Sequence, residues 1–439
     1  YGEQISKIAE LETQLLDSAA EHQVVQAYLR RAKEMEARLQ DVEGALERER
    51  ELGRERIRQL RAQNADVGLI VSASRELAAL PRDVASARER WTREMHENYE
   101  RAKPLGGLPP HSQAYAGDPN GTPEEQREYE LARRNFLALM FCLMVGTAGL
   151  PHLLTRYYTS PTVAGARASV AWSLFFIALL YLSAPALAVL VKFEVMQNLV
   201  GSSFEALPNW MAQWARVDSS LLSIEDVNGD GIVQFGEIRL GADLIMLATP
   251  ELGGLPYVVS GLVAAGGLAA ALSTADGLLL TISNALVRDL YFRGTKRDAS
   301  PEQRVILTKF TLLTVALSAA FVAALKPSEI LTMVSASFSL AASAFVPVMV
   351  MGIFWRGTTR KGAVAGMLAG LGVAVYYLLS HVPAVRAALP GWLLADGLWF
   401  GIQPISAGVF GVPAGFVAAA VVSRITRPAP VPTGVRLEI

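Results

Sequence analysis

The chain has 439 residues, 51% of them hydrophobic, and a net charge of −1. That balance leaves no basic surplus for a nucleic-acid partner, and a single cysteine, Cys142, excludes disulfides and cysteine metal clusters within one chain. The average conceals two regions: residues 1–134 are charged and polar, whereas residues 135–424 are mostly apolar.

Residues 1–100 read as long helices. Ile8, Leu11 and Leu15, then Met35, Leu39, Val42 and Leu46, fall at three- and four-residue steps between dense Glu and Arg. Glu49 and Gly53 interrupt the heptad. The pattern therefore predicts a helical hairpin or a loose, self-associating coiled coil rather than a regular rod, with a solvated charged helix as the plain alternative. Pro81 breaks the second half. Residues 104–122 form a Pro- and Gly-punctuated linker, closing the 1–103 helical region. Thr122, Pro123 and Glu125 then read as an N-cap, a proline at the first helical position and a capping-box glutamate.

Seven membrane spans are expected, near 135–156, 168–192, 255–290, 305–325, 329–355, 362–380 and 402–424. Their loops carry an uneven charge. Arg156 and Arg167 flank the first loop, and Arg288, Arg293, Lys296, Arg297 and Arg304 fill the third. Arg356, Arg360 and Lys361 fill the fifth, and Arg424, Arg427 and Arg436 follow the last span. The alternate short loops hold only Lys326 and Arg386. The positive-inside rule then predicts a multi-pass protein of the cell's inner (plasma) membrane. Its 425–439 tail is expected in the cytoplasm, and residues 1–134 outside it.

The first span contains GTAGLPHLLTRYY, residues 146–158. Gly146, Gly149 and Pro151 in one span predict a broken helix. Freed backbone groups at membrane depth are tolerated only where they line a cavity, which makes this a candidate substrate site. His152 follows the break, placed to contact an anion or to cap the freed backbone; a plain proline kink is the other reading.

Residues 193–254 form a second insertion containing DVNGDGIVQFGE. Asp226, Asn228 and Asp230 stand at positions 1, 3 and 5 of an EF-hand loop, Gly231 at 6, the Ile232 carbonyl at 7, Val233 at 8 and Glu237 at 12. That spacing predicts Ca2+ ligands, against a polar turn that binds nothing. No second loop is present to pair with it.

The third span holds the polar group Ser273, Thr274 and Asp276 within GLVAAGGLAAALSTADGLLLTISNALVRDLY, residues 261–291. A helical Ser or Thr hydroxyl lies close to the carbonyl three or four residues back. Two hydroxyls therefore stand beside the carbonyls of Ala269 and Ala270. Such an oxygen cluster suits a hard monovalent cation, or else serves as hydrogen-bonding glue between helices.

LAAALSTADGLLLTISNALVRDLY resembles the eighth core helix of the sodium:solute symporters. GTAGLPHLLTRYY resembles their sixth, and GIFWRGTTRKGAVAGMLAG, residues 352–370, resembles the junction after their tenth. The resemblance covers nearly all of 135–424 in the right order. It implies an all-α polytopic membrane fold: the second half of a five-plus-five inverted-repeat transporter with two extra helices. The charged helical insertion would be extracytoplasmic, and further helices would precede Tyr1, as in an enlarged, acetate-permease-like subgroup. It also implies Na+ ligands at Ala270, Ser273 and Thr274, and substrate contacts at Gly146, Gly149, Pro151 and His152. The first-repeat ligands lie outside this chain. The implied activity is sodium-coupled symport of a small organic solute, acetate or another short monocarboxylate, by alternating access across the lipid bilayer. Two alternatives remain. One is the same fold driven by protons through Asp276. The other is a membrane-anchored coiled-coil interaction or signalling module, which would need no polar cluster at mid-span. No enzyme signature of the G-x-S-x-G, P-loop or H-E-x-x-H kind is present.

Overall fold

The computed structural model describes residues 2–108, 110–111, 113–157, 160–218, 221–292, 300–325 and 328–426. Arg293, Lys296, Arg297, Lys326, Arg427 and Arg436, together with most of the 425–439 tail, lie outside the described residues. The chain divides into two compact units. One joins Tyr1–Ala114 with Leu182–Ser260, the other Tyr115–Tyr181 with Gly261–Ile439.

Five helices open the first unit: α1 (Gly2–Leu16), α2 (Ala19–Gln40), α3 (Val42–Ala62), α4 (Val67–Ala78) and α5 (Val84–Arg101). Their starts follow the capping residues. The Ser18 hydroxyl accepts from the Glu21 N–H, the Asp41 carboxylate from the Gly44 N–H at 3.0 Å, and Asp83 and Ser86 form a capping box. α2 packs along α5, and α3 along α4. The apolar stripe of Met35, Leu39, Val42 and Leu46 closes on Ala87 and Trp91. The stripe is thus satisfied inside the chain, in a hairpin-like bundle.

After the linker come α6 (Pro123–Gly149), α7 (Pro151–Tyr157) and α8 (Val163–Glu194), then α9 (Asn209–Val217), β1 (Leu222–Ile224), β2 (Ile238–Leu240) and α10 (Ala242–Leu252). The capping box expected at Thr122 is present: its backbone N–H donates to Glu125 Oε2 at 2.7 Å. Ile8, with Leu11 and Leu15 beside it, packs against Val189, Val195, Leu199, Met211 and Leu244. The charged N-terminal region and the 193–254 insertion therefore share one core. Glu12 is buried there, ion-paired with Lys192 and accepting from the His111 N–H at 3.0 Å.

Downstream lie α11 (Tyr257–Asn284), α12 (Pro301–Ala324), α13 (Ile330–Phe354), α14 (Arg360–Leu379), the short α15 (Pro383–Ala388) and α16 (Gly408–Ile425). Among the described residues seven helices are long and apolar enough to cross a membrane: 123–154, 163–199, 257–292, 301–324, 330–354, 360–379 and 404–425. All seven expected spans are there. Four of them, α6, α13, α14 and α16, pack together. Small residues bring them close, since lipid supplies no hydrophobic drive between helices. A Cβ on Gly370 would stand 2.2 Å from the Ser343 carbonyl oxygen, and one on Gly411 would stand 2.2 Å from Ser343 Oγ. By contrast, none of the apolar stretch of α11 or α12 is buried.

Candidate functional site

The first span is broken at Leu150, just before the proline. α6 ends at Gly149, Leu150 takes an extended conformation (φ −69°, ψ 116°), and α7 restarts at Pro151. The cause is steric: a proline ring disfavours helical ψ in the residue before it. The Leu150 carbonyl accepts from the Leu153 and Leu154 N–H groups, both at 3.1 Å, and so opens the new helix. His152 lies in the first turn of α7. Gly146 and Gly149 also do something the sequence pattern did not suggest. A Cβ on Gly146 would meet the Phe338 carbonyl oxygen at 2.5 Å, and one on Gly149 would meet the Ala341 carbonyl oxygen at 2.9 Å. They let α6 lie close against α13 right up to the break.

The third span places its oxygens as expected for a helix. Thr274 Oγ1 donates to the Ala270 carbonyl at 3.1 Å, and Ser273 stands one residue before it. Both hydroxyls and Asp276 are exposed. Among the described residues no second element brings oxygens to them. The structure does not bring Ala270, Ser273 and Thr274 together with Gly149 and His152.

The 226–237 loop is a closed turn rather than a helix-flanked hand. β1 precedes it and β2 follows it, paired antiparallel with Leu222 opposite Leu240 and Ile224 opposite Ile238. Gly229 and Gly231 take φ of 79° and 73°, which glycine tolerates. Its acidic groups hold backbone. Asp226 accepts from the Gly229 N–H at 2.6 Å and the Gly231 N–H at 2.9 Å. Buried Glu237 accepts from the Val227 N–H at 2.7 Å and the Gln234 N–H at 3.1 Å. Asn228 Nδ2 donates to Asp230 Oδ2 at 3.0 Å. Position 8 does have a mate: the Val233 N–H donates to the Ser202 carbonyl, and the Gly201 N–H to the Val233 carbonyl, each at 2.8 Å. Among the described residues no three His, Cys, Asp or Glu side chains are grouped to hold a metal ion. The side chains of Asp226, Asn228, Asp230 and Glu237 thus have hydrogen-bonding partners within the loop that involve no calcium.

Comparison with known proteins finds a family likeness. Residues 247–370 match the sodium:solute symporter family. An uncharacterized symporter of Cupriavidus necator is 50% identical over 433 residues, which is 98% of this chain and 62% of the relative. The chain is thus similar to the sodium:solute symporter family. A monocarboxylic acid transporter of Corynebacterium glutamicum is 28% identical over 67% of this chain and 47% of its own length. A high-affinity proline transporter of Bacillus subtilis is 33% identical over 32% of each chain. The chain thus spans under two thirds of the length of the symporter relatives it matches. No solved structure matches it. With seven such helices and this likeness, it is a multi-pass membrane protein.

Proposed function

We propose that this chain is part of a secondary transporter that couples sodium entry to uptake of a small organic solute by alternating access. The observation that carries the reading is the break at Leu150 in the first span of a chain similar to the symporter family. Unwound backbone at that depth is stable where it faces a cavity, and the nitrogens after a break can meet a carboxylate. The solute is a short monocarboxylate, with Gly146, Gly149, Pro151 and His152 at its site; the name of the Corynebacterium relative favours that class. Sodium is held by the Ala270 carbonyl and the Ser273 and Thr274 hydroxyls, completed by oxygens from other helices. Residues 1–134 face outward and the C-terminus faces the cytoplasm.

The test is sodium dependence of uptake in the full-length protein. Loss of one ion-to-hydroxyl contact is worth about 1.5–3 kcal/mol, so Ser273→Ala or Thr274→Ala should raise the half-saturating sodium concentration at least about tenfold. Asp276→Asn should leave sodium dependence in place. Unchanged sodium curves in both hydroxyl variants, with uptake lost in the Asp276 variant and driven by pH alone, would replace sodium by protons.

A further inference from the structure

The first unit contains a cavity of about 440 Å3 that the transport reading does not use. It lies where the end of α5, the Pro104–Gly107 turn and β2 meet. Buried Leu105 and Phe235 and half-buried Leu240 give it an apolar floor. Three guanidinium groups line it: Arg93, Arg101 and Arg239. Arg101 is held in place by a neutral partner, since its Nη1 donates to the Tyr28 hydroxyl at 2.9 Å and its guanidinium lies over the Tyr28 ring. Its charge therefore stays uncompensated. Arg93 and Arg239 make no hydrogen bond or ion pair among the described residues. Of the acidic lining, Glu100 is taken by Lys103 at 2.8 Å, which leaves Glu97 as the one unmatched carboxylate.

The same three arginines and Glu97 also line an adjoining cavity of about 890 Å3. There Arg31 is neutralised by Glu225 at 2.9 Å and Arg90 by Glu94 at 2.7 Å, and Glu34 adds a carboxylate. The unpaired arginines are shared by the two cavities, and Glu34 stands only on the larger, more polar side. The turn that forms the apolar side is strained. Leu105 has φ 53° and ψ 32°, a left-handed conformation costly for leucine, and is followed by Gly106 and Gly107 at φ 64° and 85°. The strain carries the Leu105 side chain into the core and sets Gly106 opposite Gly236. A Cβ on Gly106 would find only the Gly236 Cα, at 4.0 Å. The space between these backbones is kept clear of side chains.

We propose that this cavity binds an organic monoanion with a short apolar body. The carboxylate sits on Arg93 and Arg239, with Arg101 behind it, and the body lies on Leu105, Phe235 and Leu240. Guanidinium forks match carboxylate geometry. Pockets of this size, apolar with a few placed polar groups, are the usual form of small-molecule sites. The apolar floor disfavours inorganic phosphate, and the arginine surplus disfavours a neutral or cationic ligand. The residues lining this site all belong to the first unit, and the proposal does not depend on what the spans transport.

Equilibrium binding of radiolabelled butyrate to the whole chain in nanodiscs tests the proposal. Sodium is replaced by potassium to silence a sodium-coupled site. Saturable binding with a dissociation constant at or below about 1 mM is expected. Unlabelled butyrate should displace it; butanamide and inorganic phosphate at equal concentration should not. Arg93→Gln and Arg239→Gln should each weaken it at least about tenfold, each removing a charge-assisted contact. Both side chains are exposed and unpartnered, so these variants keep the fold, which their unfolding temperatures check. Ser273→Ala should bind as wild type. Absence of saturable binding overturns the proposal, as does binding that survives both arginine substitutions or that phosphate displaces as well as butyrate. Binding lost only in Ser273→Ala would move the site to the spans.

Discussion

Glu21 shows how a single carboxylate can serve a fold at a cost that depends on pH. It sits in the first turn of α2 and accepts from the Phe235 N–H at 2.5 Å and the Gly236 N–H at 3.2 Å, tying α2 to the end of the 226–237 loop. Burial pushes its carboxyl above the usual value of 4.5, and the two N–H bonds only partly offset that. Glu237 is shifted the same way for the same reason. The sign follows from proton linkage. A carboxyl raised in the folded state binds more protons there than in the unfolded chain. Its contribution to stability is therefore complete below 4.5 and falls as pH rises toward the raised value. Asp230 and Asp83 shift downward, but both are exposed and titrate below 3.8, outside that window. The first unit should therefore unfold at a higher temperature near pH 5 than near pH 7, other groups being equal. Glu21→Gln should flatten that slope, followed by near-ultraviolet circular dichroism of the whole chain in detergent. A slope unchanged by the substitution would remove Glu21 as its source. At this scale the sequence was legible only for local chemistry. The acidic loop spacing from Asp226 to Glu237 is readable, but the backbone amides that its carboxylates accept from are not. Nor are Arg93, Arg101 and Arg239 a visible set: Arg93 and Arg101 stand eight residues apart on α5, but nothing in the sequence links them to Arg239 on β2.

The broken first span is the element with the clearest sequence origin. Pro151 removes a backbone donor and forces Leu150 out of helical ψ, and the chain restarts as α7. The glycines are a different matter. From sequence, Gly146 and Gly149 read as helix breakers, yet α6 continues helical through both. Their positions are set by the approach of α13, whose Phe338 and Ala341 carbonyls leave no room for a Cβ. Residue type announces close approach or flexibility, but the neighbour decides which. This separation dictates the right variant. A bulky residue at Gly149 would disturb packing and the break together. Pro151→Ala leaves the α6–α13 contact alone and lets the helix run on through Leu150. Uptake by the full-length protein should fall severely in Pro151→Ala while the amount in the membrane stays unchanged. Uptake equal to wild type would mean the break is a packing feature without a part in transport.

For the whole molecule, all seven spans were legible because long apolar runs depend on composition alone. What the N-terminal helices pack against was not. Periodicity placed Ile8, Leu11 and Leu15 on one face, but only the structure shows that face closing on Val189, Met211 and Leu244, about 180 residues and more downstream. Sidedness is open to a direct test. In the second unit, Asn135 at the start of the first span donates to the Gly401 carbonyl at 2.9 Å and accepts from the Gln403 N–H at 2.7 Å, ahead of the last span. At the other end of that last span, Ser423 Oγ accepts from the Thr359 N–H at 3.1 Å, at the start of the sixth. The first and last spans therefore begin on one side, and the sixth begins on the other, as alternation of seven spans requires. The basic residues Arg356, Arg360 and Lys361 sit with Thr359, and the positive-inside rule predicts that this side is the cytoplasmic one. Residues 1–134 should then be outside. Cys142 is buried and donates to the Ser406 carbonyl, so Cys142→Ser gives a silent background that keeps a donor. In that background Glu55→Cys and Lys361→Cys each place one thiol at an exposed position. A membrane-impermeant maleimide should label Glu55→Cys in intact cells whose outer layer has been opened, and Lys361→Cys only after the inner membrane is permeabilised. The opposite labelling would invert the topology and place the charged unit in the cytoplasm.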